Sequence, residues 1–335
     1  MPVAPMAPPA PTPLPSHLLI PFASASAPDC QAALKGLRLP QLEALLGELV
    51  PAALDAGDDH SLSLPHERAL ARALGLTQAD GSPCEDGLIP WAAAHSAQPA
   101  TPQAWLSPCH FQVGMERVSL LPLEQLALDE PESRALFDAL APFCAEDGVT
   151  LRFDSATRWH ASGEPLRDIA CASLDRVSGR QVDAWMAESP RNPGGAQVLK
   201  RLQSEAQMLF YTHPVHDART AHGLFPVNGL WLSGAGAVAS PTPLRPPPTL
   251  PDTLRQAALR ADWAAWAQAW AELDATHIPA LLERARRGEA VTLTLCGERS
   301  AQTWVSAPRG GAARLGRLFK NLLGTPPAWK ALEPL

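Results

Sequence analysis

Residues 199–236, LKRLQSEAQMLFYTHPVHDARTAHGLFPVNGLWLSGAG, hold the most informative pattern in this chain. Apolar residues at helical spacing predict an amphipathic helix over residues 196–211. Pro214 cannot continue a regular helix, so we expect the chain to turn at Thr212 and His213 and to enter a polar loop. An apolar strand at 229–232 then ends in small residues. This alternation of helix and strand is typical of an α/β protein.

The predicted polar loop concentrates side chains that bind ligands. Neutral imidazoles and a carboxylate suit zinc or manganese, and an arginine can hold a phosphate through two donors. The spacing matches no established metal motif, and a histidine between a helix and a proline is also a common capping residue. The candidate residues are His213, His216, Asp217, Arg219 and Asn228. Three interpretations of them are possible: a metal site, a small-ligand site or a structural hydrogen-bond network.

A further candidate for ligand binding is His110, which lies just upstream of a strand predicted at 118–121. Its neighbour Cys109 is not expected to form a catalytic dyad with it. Adjacent residues on an extended chain point to opposite faces, so the thiol and the imidazole would be kept apart. No catalytic residue can be named from the sequence.

Composition narrows the class of protein. The chain has 335 residues, 18% of them charged, and a net charge of −7, so we expect no general affinity for nucleic acid or for an anionic membrane. Its six cysteines form no CxxC pair, which suits a reducing cytoplasm better than a disulfide framework. Residues 1–16 contain prolines throughout and lack the basic region with which a signal peptide begins. This segment is therefore predicted to be a disordered tail rather than a signal peptide or a membrane span.

The distribution of prolines divides the rest of the chain. We predict an α/β core over residues 17–239, a proline-rich linker over 240–251, and a helical and hairpin region over 252–335. The predicted fold is α/β, with a mostly parallel sheet flanked by helices and a smaller C-terminal α+β part. Within the core, apolar patterns predict strands at 17–22 and 149–154. They also predict a helix that begins near Leu39 and helices over 65–74 and 132–144. Residues 158–163 are expected to form a connection.

The C-terminal region contains a tryptophan row. Asp252 is predicted to cap a helix that runs to about Leu273, with Trp263, Trp266 and Trp270 at helical spacing. Such tryptophans are core or interface residues, and they would mark a protein-partner surface if exposed. Further on, we expect a helix at 276–287, a hairpin formed by 290–296 and 301–305, and a last helix at 312–323 that carries the cations Arg314, Arg317 and Lys320.

The central segment resembles a motif, HPVN..R...G..PVN..W.WG.G, of a bacterial family described as phosphoglycerate mutase-like or as RpfE-type regulatory proteins. Residues 203–209 and 107–121 resemble two further segments of that family. The segment is also similar to part of the archaeal-type cofactor-independent phosphoglycerate mutases, members of the alkaline-phosphatase-like superfamily. The residues that carry the resemblance are His213, Pro214, Val215, Arg219, Gly223, Pro226, Val227, Asn228, Trp231, Gly234 and Gly236.

The resemblance implies an α/β sandwich and a phosphorylated small molecule as ligand. Such mutases hold two divalent metals with aspartates and histidines, whereas no Asp follows the first predicted strand here and no His-Asp cluster lies toward the C-terminus. We therefore expect a non-catalytic or catalytically altered protein with a binding or regulatory role, without a cofactor, and not an active phosphoglycerate mutase. The alternative is a metal-dependent phosphomutase or phosphatase that uses a divalent metal and a rearranged site made of His213, His216, Asp217 and Arg219.

Overall fold

The computed structural model describes residues 16–114, 117–182, 185, 189–239, 244–306 and 327–335. A 3-10 helix covers Glu164–Leu166. The other regular elements are, in chain order, β1 (His17–Ile20), α1 (Pro28–Gly36), α2 (Pro40–Glu48), β2 (Leu49–Ala56), α3 (Pro65–Leu74), α4 (Trp91–Ala94), β3 (Gln103–Cys109), β4 (Phe111–Val113), β5 (Val118–Leu120), α5 (Leu123–Leu126), α6 (Glu130–Glu146), β6 (Thr150–Ser155), β7 (Arg158–Ser162), α7 (Leu174–Val177), α8 (Pro193–Thr212), α9 (Pro214–Ala221), β8 (Gly229–Gly236), α10 (Arg255–Leu259), α11 (Trp263–Thr276), α12 (Ile278–Arg286), β9 (Thr292–Cys296), β10 (Ser300–Ser306) and α13 (Trp329–Leu332).

The chain forms two compact units. The first unit comprises the described residues within Met1–Leu54, Pro248–Gly297 and Ala301–Leu335, and the second comprises those within Asp55–Pro247 and Glu298–Ser300. This division differs from the predicted one into 17–239 and 252–335. The reason is that β1 pairs with β9, so the first strand belongs with the C-terminal elements.

The first unit contains a mixed sheet of order β1-β9-β10-β2. Strand β1 runs parallel to β9, whereas β9 and β10 form the predicted antiparallel hairpin. The segment predicted as a linker contributes Thr249, which exchanges backbone hydrogen bonds of 2.9 Å with His17 and Leu19 of β1. Residues 1–15, residues 240–243 and the predicted last helix at 312–323 lie outside the described residues.

The tryptophan row belongs mainly to the core of the first unit. Trp266 and Trp270 have 0% exposure, and their indole N–H groups donate to the carbonyls of Phe22 at 2.9 Å and Ala23 at 3.3 Å. Buried indoles need such acceptors, so both rings are fixed in place. Trp263 is half-buried. The row was expected to mark a partner surface only if its tryptophans were exposed, and Trp266 and Trp270 are not.

The second unit contains a sheet of order β6-β7-β3-β8 in which every pair is antiparallel. The prediction of a mostly parallel sheet was therefore wrong. A short connection explains one of these pairs: β6 and β7 are joined by a tight hairpin, and a parallel pair would need a crossover of a dozen or more residues. Strand β3 is antiparallel to β7 and β8 although long segments separate it from both in the sequence. The coarser prediction of a mixed α/β protein holds, because helices accompany both sheets.

The faces of the second sheet have opposite character, because strand side chains alternate. On the inner face Trp159 and Ala161 of β7 and Leu106 of β3 join a core built with α6 and α8. The Trp159 indole donates to the buried Ser133 hydroxyl of α6 at 3.0 Å. On the outer face, polar side chains of β6 and β7 and the Trp105 ring of β3 line the cleft described below, whereas Trp231 of β8 packs in a separate apolar cluster.

Three local predictions need correction. The predicted polar loop after His213 is the helix α9, and the connection predicted at 158–163 contains β7. The helix predicted from Asp252 is broken between α10 and α11, where Ala261 has a φ of 53° and Asp262 caps the second helix by accepting from Ala265 N at 3.0 Å. No helix among the described residues is both long and apolar enough to cross a bilayer.

Candidate functional site

Arg219 is enclosed by the protein. Its side chain has 0% exposure, and its guanidinium donates to the Glu132 carboxylate, to the Leu126 carbonyl, and through Nε to the Phe225 carbonyl at 2.9 Å. Glu132 is the N3 residue of α6, where it also takes part in the capping box with Asp129. Arg219 therefore joins α9 to the beginning of α6 and to the end of α5, and these donors are already committed to protein acceptors.

Asn228 extends the pairing of β3 with β8 by means of its side chain. Its Oδ1 accepts from Phe111 N at 2.7 Å, and its Nδ2 donates to Phe111 O at 2.9 Å. The backbone N–H of Asn228 donates to Cys109 O at 3.1 Å. A carboxamide bonded in this way replaces a strand residue in the ladder. Asn228 is thus a structural residue in this geometry.

His213 lies between two helices and caps the second. Its Nδ1 accepts from Val215 N at 3.2 Å, so it supplies the N-cap of α9. Asp217 is exposed in the first turn of the same helix, where a carboxylate interacts favourably with the positive end of the helix dipole. Both residues therefore have a local role in α9.

His110 and His216 are the candidates that the structure brings together. The His110 Nδ1–H donates to Pro226 O at 2.7 Å, and its ring lies 5.1 Å from the Phe225 ring. Burial lowers the pKa of His110, and the nearby His216 lowers it further, against the raising effect of the Pro226 carbonyl. The Nδ1 atom of His216 is buried and has no hydrogen-bond partner in the described part of the chain. The pair thus offers Nε2 of His110 as an acceptor, because Nδ1 of that ring carries the proton.

These two histidines do not complete a metal site. Nowhere in the described ranges do three or more His, Cys, Asp or Glu side chains form a group able to hold a metal ion. Of the predicted set, the structure thus places Arg219 and Asn228 in the framework, His213 at a helix cap, and His110 beside His216.

A cleft of about 710 Å³, lined mostly by polar residues, lies on the outer face of the second sheet over β6, β7 and the beginning of β3. Arg152 of β6 and Trp105 of β3 are the cross-strand neighbours of His160 on β7, so the three side chains form one row. Arg158 lies on the same strand face as His160 and belongs to the cleft as well. Its guanidinium carbon is 5.3 Å from the centre of the Trp105 ring. The row presents cations and an aromatic surface together.

The tautomer of His160 follows from its contact with the buried Gln103. The Gln103 Nε2 donates to the carbonyls of Gln98 at 2.6 Å and Thr101 at 3.2 Å, which fixes the orientation of the amide. Its Oε1 must then accept, and it lies 2.7 Å from His160 Nε2. His160 Nε2 therefore carries the proton, and Nδ1 is the acceptor atom of the ring.

The two arginines of the cleft differ in their ion pairing. Arg158 Nε donates to Asp154 at 2.7 Å, whereas Arg152 is exposed and takes part in none of the ion pairs found among the described residues. Burial lowers the pKa of His160, as do Arg152 and Arg158, against a raising effect of Asp154. His160 is therefore neutral at pH 7, and Arg152 provides the uncompensated positive charge.

The residues of this cleft were missed from sequence, although a signal was present. Residues 150–162, TLRFDSATRWHAS, alternate apolar and polar side chains on both sides of a short turn. Such alternation is typical of a hairpin with one buried face. Because residues 158–163 were predicted to be a connection and not a strand, Arg152, Arg158 and His160 were not expected to share a face.

Among solved structures, the PH0037 protein from Pyrococcus horikoshii is similar to this chain with 11% identity and a TM-score of 0.48, over 88% of this chain and 88% of its own. The cofactor-independent phosphoglycerate mutase from Thermoplasma acidophilum is similar with 13% identity and a TM-score of 0.32, over 89% of this chain and 92% of its own. No protein family matches the chain. No curated protein matches it either. The resemblance to RpfE-type regulatory proteins stays a prediction.

Proposed function

We propose that this protein is a non-catalytic or catalytically altered relative of the phosphoglycerate mutase-like proteins, and that it binds a phosphorylated small molecule in the cleft on the outer face of the second sheet. Binding of this ligand would give the protein its regulatory role. The observation that carries the proposal is the row of Arg152, His160 and Trp105 across three neighbouring strands.

The chemistry of the row fits such a ligand. Arg152 can donate to phosphate oxygens in the bidentate geometry that guanidinium groups favour. Arg158 can add a donor from a guanidinium nitrogen other than Nε, which is bonded to Asp154. A neutral His160 with Nδ1 as its acceptor can receive a hydrogen bond from a hydroxyl group. A small molecule that carries both a phosphate and a hydroxyl, such as a phosphorylated hydroxy acid, matches both features.

The competing function, metal-dependent phosphoryl transfer, requires Arg219 to hold the phosphate. In the structure this guanidinium is buried and bonded to Glu132, Leu126 and Phe225. A phosphate would have to displace these acceptors. We therefore favour the outer-face cleft over the rearranged site around Arg219.

A cytoplasmic location is part of the same proposal. All six cysteines are free, and five of them are buried. Free, buried thiols suit a compartment in which thiols stay reduced. Fractionation of cells that produce the protein with a small tag would test this location.

Calorimetric titration with 3-phosphoglycerate, glycerate and inorganic phosphate tests the ligand class. We expect 3-phosphoglycerate to bind most tightly and glycerate to bind least. Arg152→Met should weaken 3-phosphoglycerate binding about tenfold or more, since a hydrogen bond to a charged group is lost. The affinity should also fall with ionic strength, because the site is exposed.

The matched control is Arg201→Met. Arg201 is an exposed arginine on α8 that pairs with Asp147, outside the cleft. This variant should bind 3-phosphoglycerate as the wild type does. If the wild type binds none of the three compounds, or if Arg201→Met weakens binding as much as Arg152→Met, the proposal is wrong.

A further inference from the structure

A second cavity lies on the inner side of the same sheet, beneath α8. Its volume is about 620 Å³, and its walls are mostly apolar. One face of α8 lines it through residues spaced as i, i+3, i+4 and i+7, with Leu106 of β3 and two leucines of β8 opposite. These helix residues are Ala196, Leu199, Lys200 and Gln203.

The cavity is partly open to solvent, and most of its wall area is apolar. The volume lies within the range of small-molecule sites, roughly 300–1,000 Å³. An apolar occupant therefore fits the cavity best.

The rim of the cavity adds a single kind of charge. Lys200 lines the cavity, is exposed, and takes part in none of the ion pairs found in the described ranges. The neighbouring Arg201 is committed to Asp147. Burial raises the pKa of the Cys144 thiol, which lines the cavity, and so do the charges of Asp147 and Glu205, which are not lining residues. An occupant with a negative head group would thus meet a cation at the rim.

We propose that this cavity binds an amphiphile with an aliphatic chain and one anionic head group, such as a medium-chain carboxylate. The chain lies among Leu106, Leu202 and Leu232, and the head group pairs with Lys200. This site is separate from the outer-face cleft, since Trp105 and Leu106 are successive residues whose side chains lie on opposite sides of β3. The proposal for this cavity therefore does not depend on the function proposed for the outer-face cleft.

The test compares three probes of equal chain length by calorimetry: decanoate, decanol and decyltrimethylammonium. Decanoate should bind most tightly and the cationic probe least tightly. Lys200→Gln should weaken decanoate about threefold and leave decanol unchanged, which is the effect expected for a partly exposed ion pair. Lys200→Arg should retain the preference for decanoate.

A second pair of variants tests the location. Ala196→Phe places a ring in the cavity and should weaken all three probes about tenfold. Gln207→Phe adds the same ring to an exposed position of α8 that does not line the cavity, and it should bind decanoate as the wild type does. If Ala196→Phe does not fold, the two Lys200 variants still decide the question.

Three results would overturn the proposal. The first is that the wild type binds none of the probes. The second is that decanol or the cationic probe binds as tightly as decanoate. The third is that Gln207→Phe weakens binding as much as Ala196→Phe.

Discussion

Arg219 of α9 donates a hydrogen bond to Glu132, the N3 residue of α6, and the arginine side chain has no exposed surface while the glutamate keeps 24% of its own. The pair joins two helices whose sequence positions are 87 residues apart. A buried arginine is normally retained only where its donors are satisfied, and here they are. The arginine at the centre of the recognisable motif is therefore part of the framework.

Substitution of Arg219 should destabilise the protein more than substitution of an exposed arginine. Arg219→Met leaves the Leu126 carbonyl without this partner and the half-buried Glu132 unpaired, so we expect a loss of about 3 kcal/mol in the free energy of unfolding. The matched variant Arg201→Met breaks an exposed ion pair and should cost less than about 1 kcal/mol. Urea denaturation of both variants measures the difference. Equal costs would contradict a structural role for Arg219.

Asn228 should protect the backbone of Phe111 from solvent exchange. Asn228→Ala removes both side-chain hydrogen bonds to Phe111, at a cost of about 1–3 kcal/mol for the two together. The Phe111 amide should then exchange its hydrogen faster in native-state exchange followed by NMR. The Leu106 amide, which lies within β3, serves as the reference. Unchanged exchange at Phe111 would show that another acceptor holds this amide.

Local signals in the sequence were sufficient for several elements. The helix over 65–74 is confirmed as α3, and it ends at Gly75 with a φ of 79°, a conformation that favours glycine. The strand predicted at 17–22 is present as β1, and the hairpin of β9 and β10 is confirmed. These features depend on short-range spacing and on turn residues.

The remaining features depend on tertiary context. Helix α9 has a short apolar pattern, and its fully buried residue is Arg219, so its sequence resembled a loop. Pro108 argues against a central strand, yet β3 accommodates it because β7 pairs with β3 only as far as Leu106. The pairing of β1 with β9 joins segments too distant in sequence for any local pattern to indicate it.

Glu67 should make stability depend on pH. Its Oε2 accepts from Leu64 N at 2.7 Å, and its pKa is raised to about 7, mainly by burial and also by Asp175, against the effects of Ser173, Leu64 and Arg176. The pKa of Glu67 is higher in the folded state than the value of about 4.5 in the unfolded state. Between about pH 4.5 and pH 7 the Glu67 carboxyl therefore holds a proton in the folded state that it has lost in the unfolded state. Its contribution to stability is therefore present below about pH 4.5 and is lost as the pH rises through about 7.

Glu67→Gln tests this dependence, because glutamine stays neutral throughout. The difference in unfolding free energy between Glu67→Gln and the wild type should shift in favour of the variant by about 2 kcal/mol from pH 5 to pH 8. The exposed Glu124 provides the control, and Glu124→Gln should follow the wild type. Urea denaturation at a series of pH values supplies the comparison. A difference that does not vary with pH would show that Glu67 is ionised throughout this range.

The roles of His213 as helix cap and as metal ligand compete for one atom. A neutral imidazole has a single acceptor nitrogen, and in His213 this is Nδ1, which accepts from Val215 N at 3.2 Å. Metal binding at Nε2 would require the proton to move to Nδ1, and the cap would be lost. His213→Ala should therefore cost about 1 kcal/mol of unfolding free energy, whereas His213→Asn, a good N-cap residue, should retain most of it.

Metal content and turnover of 3-phosphoglycerate and of a generic phosphate ester, measured on the same three proteins, decide between the roles. A cap predicts that His213→Asn behaves as the wild type does in all three measurements. A ligand of a catalytic metal predicts bound stoichiometric metal and turnover in the wild type, and the loss of both in His213→Asn as well as in His213→Ala. That second pattern would establish phosphoryl transfer and would exclude a purely regulatory protein, since the substitution that preserves the cap would still abolish the reaction.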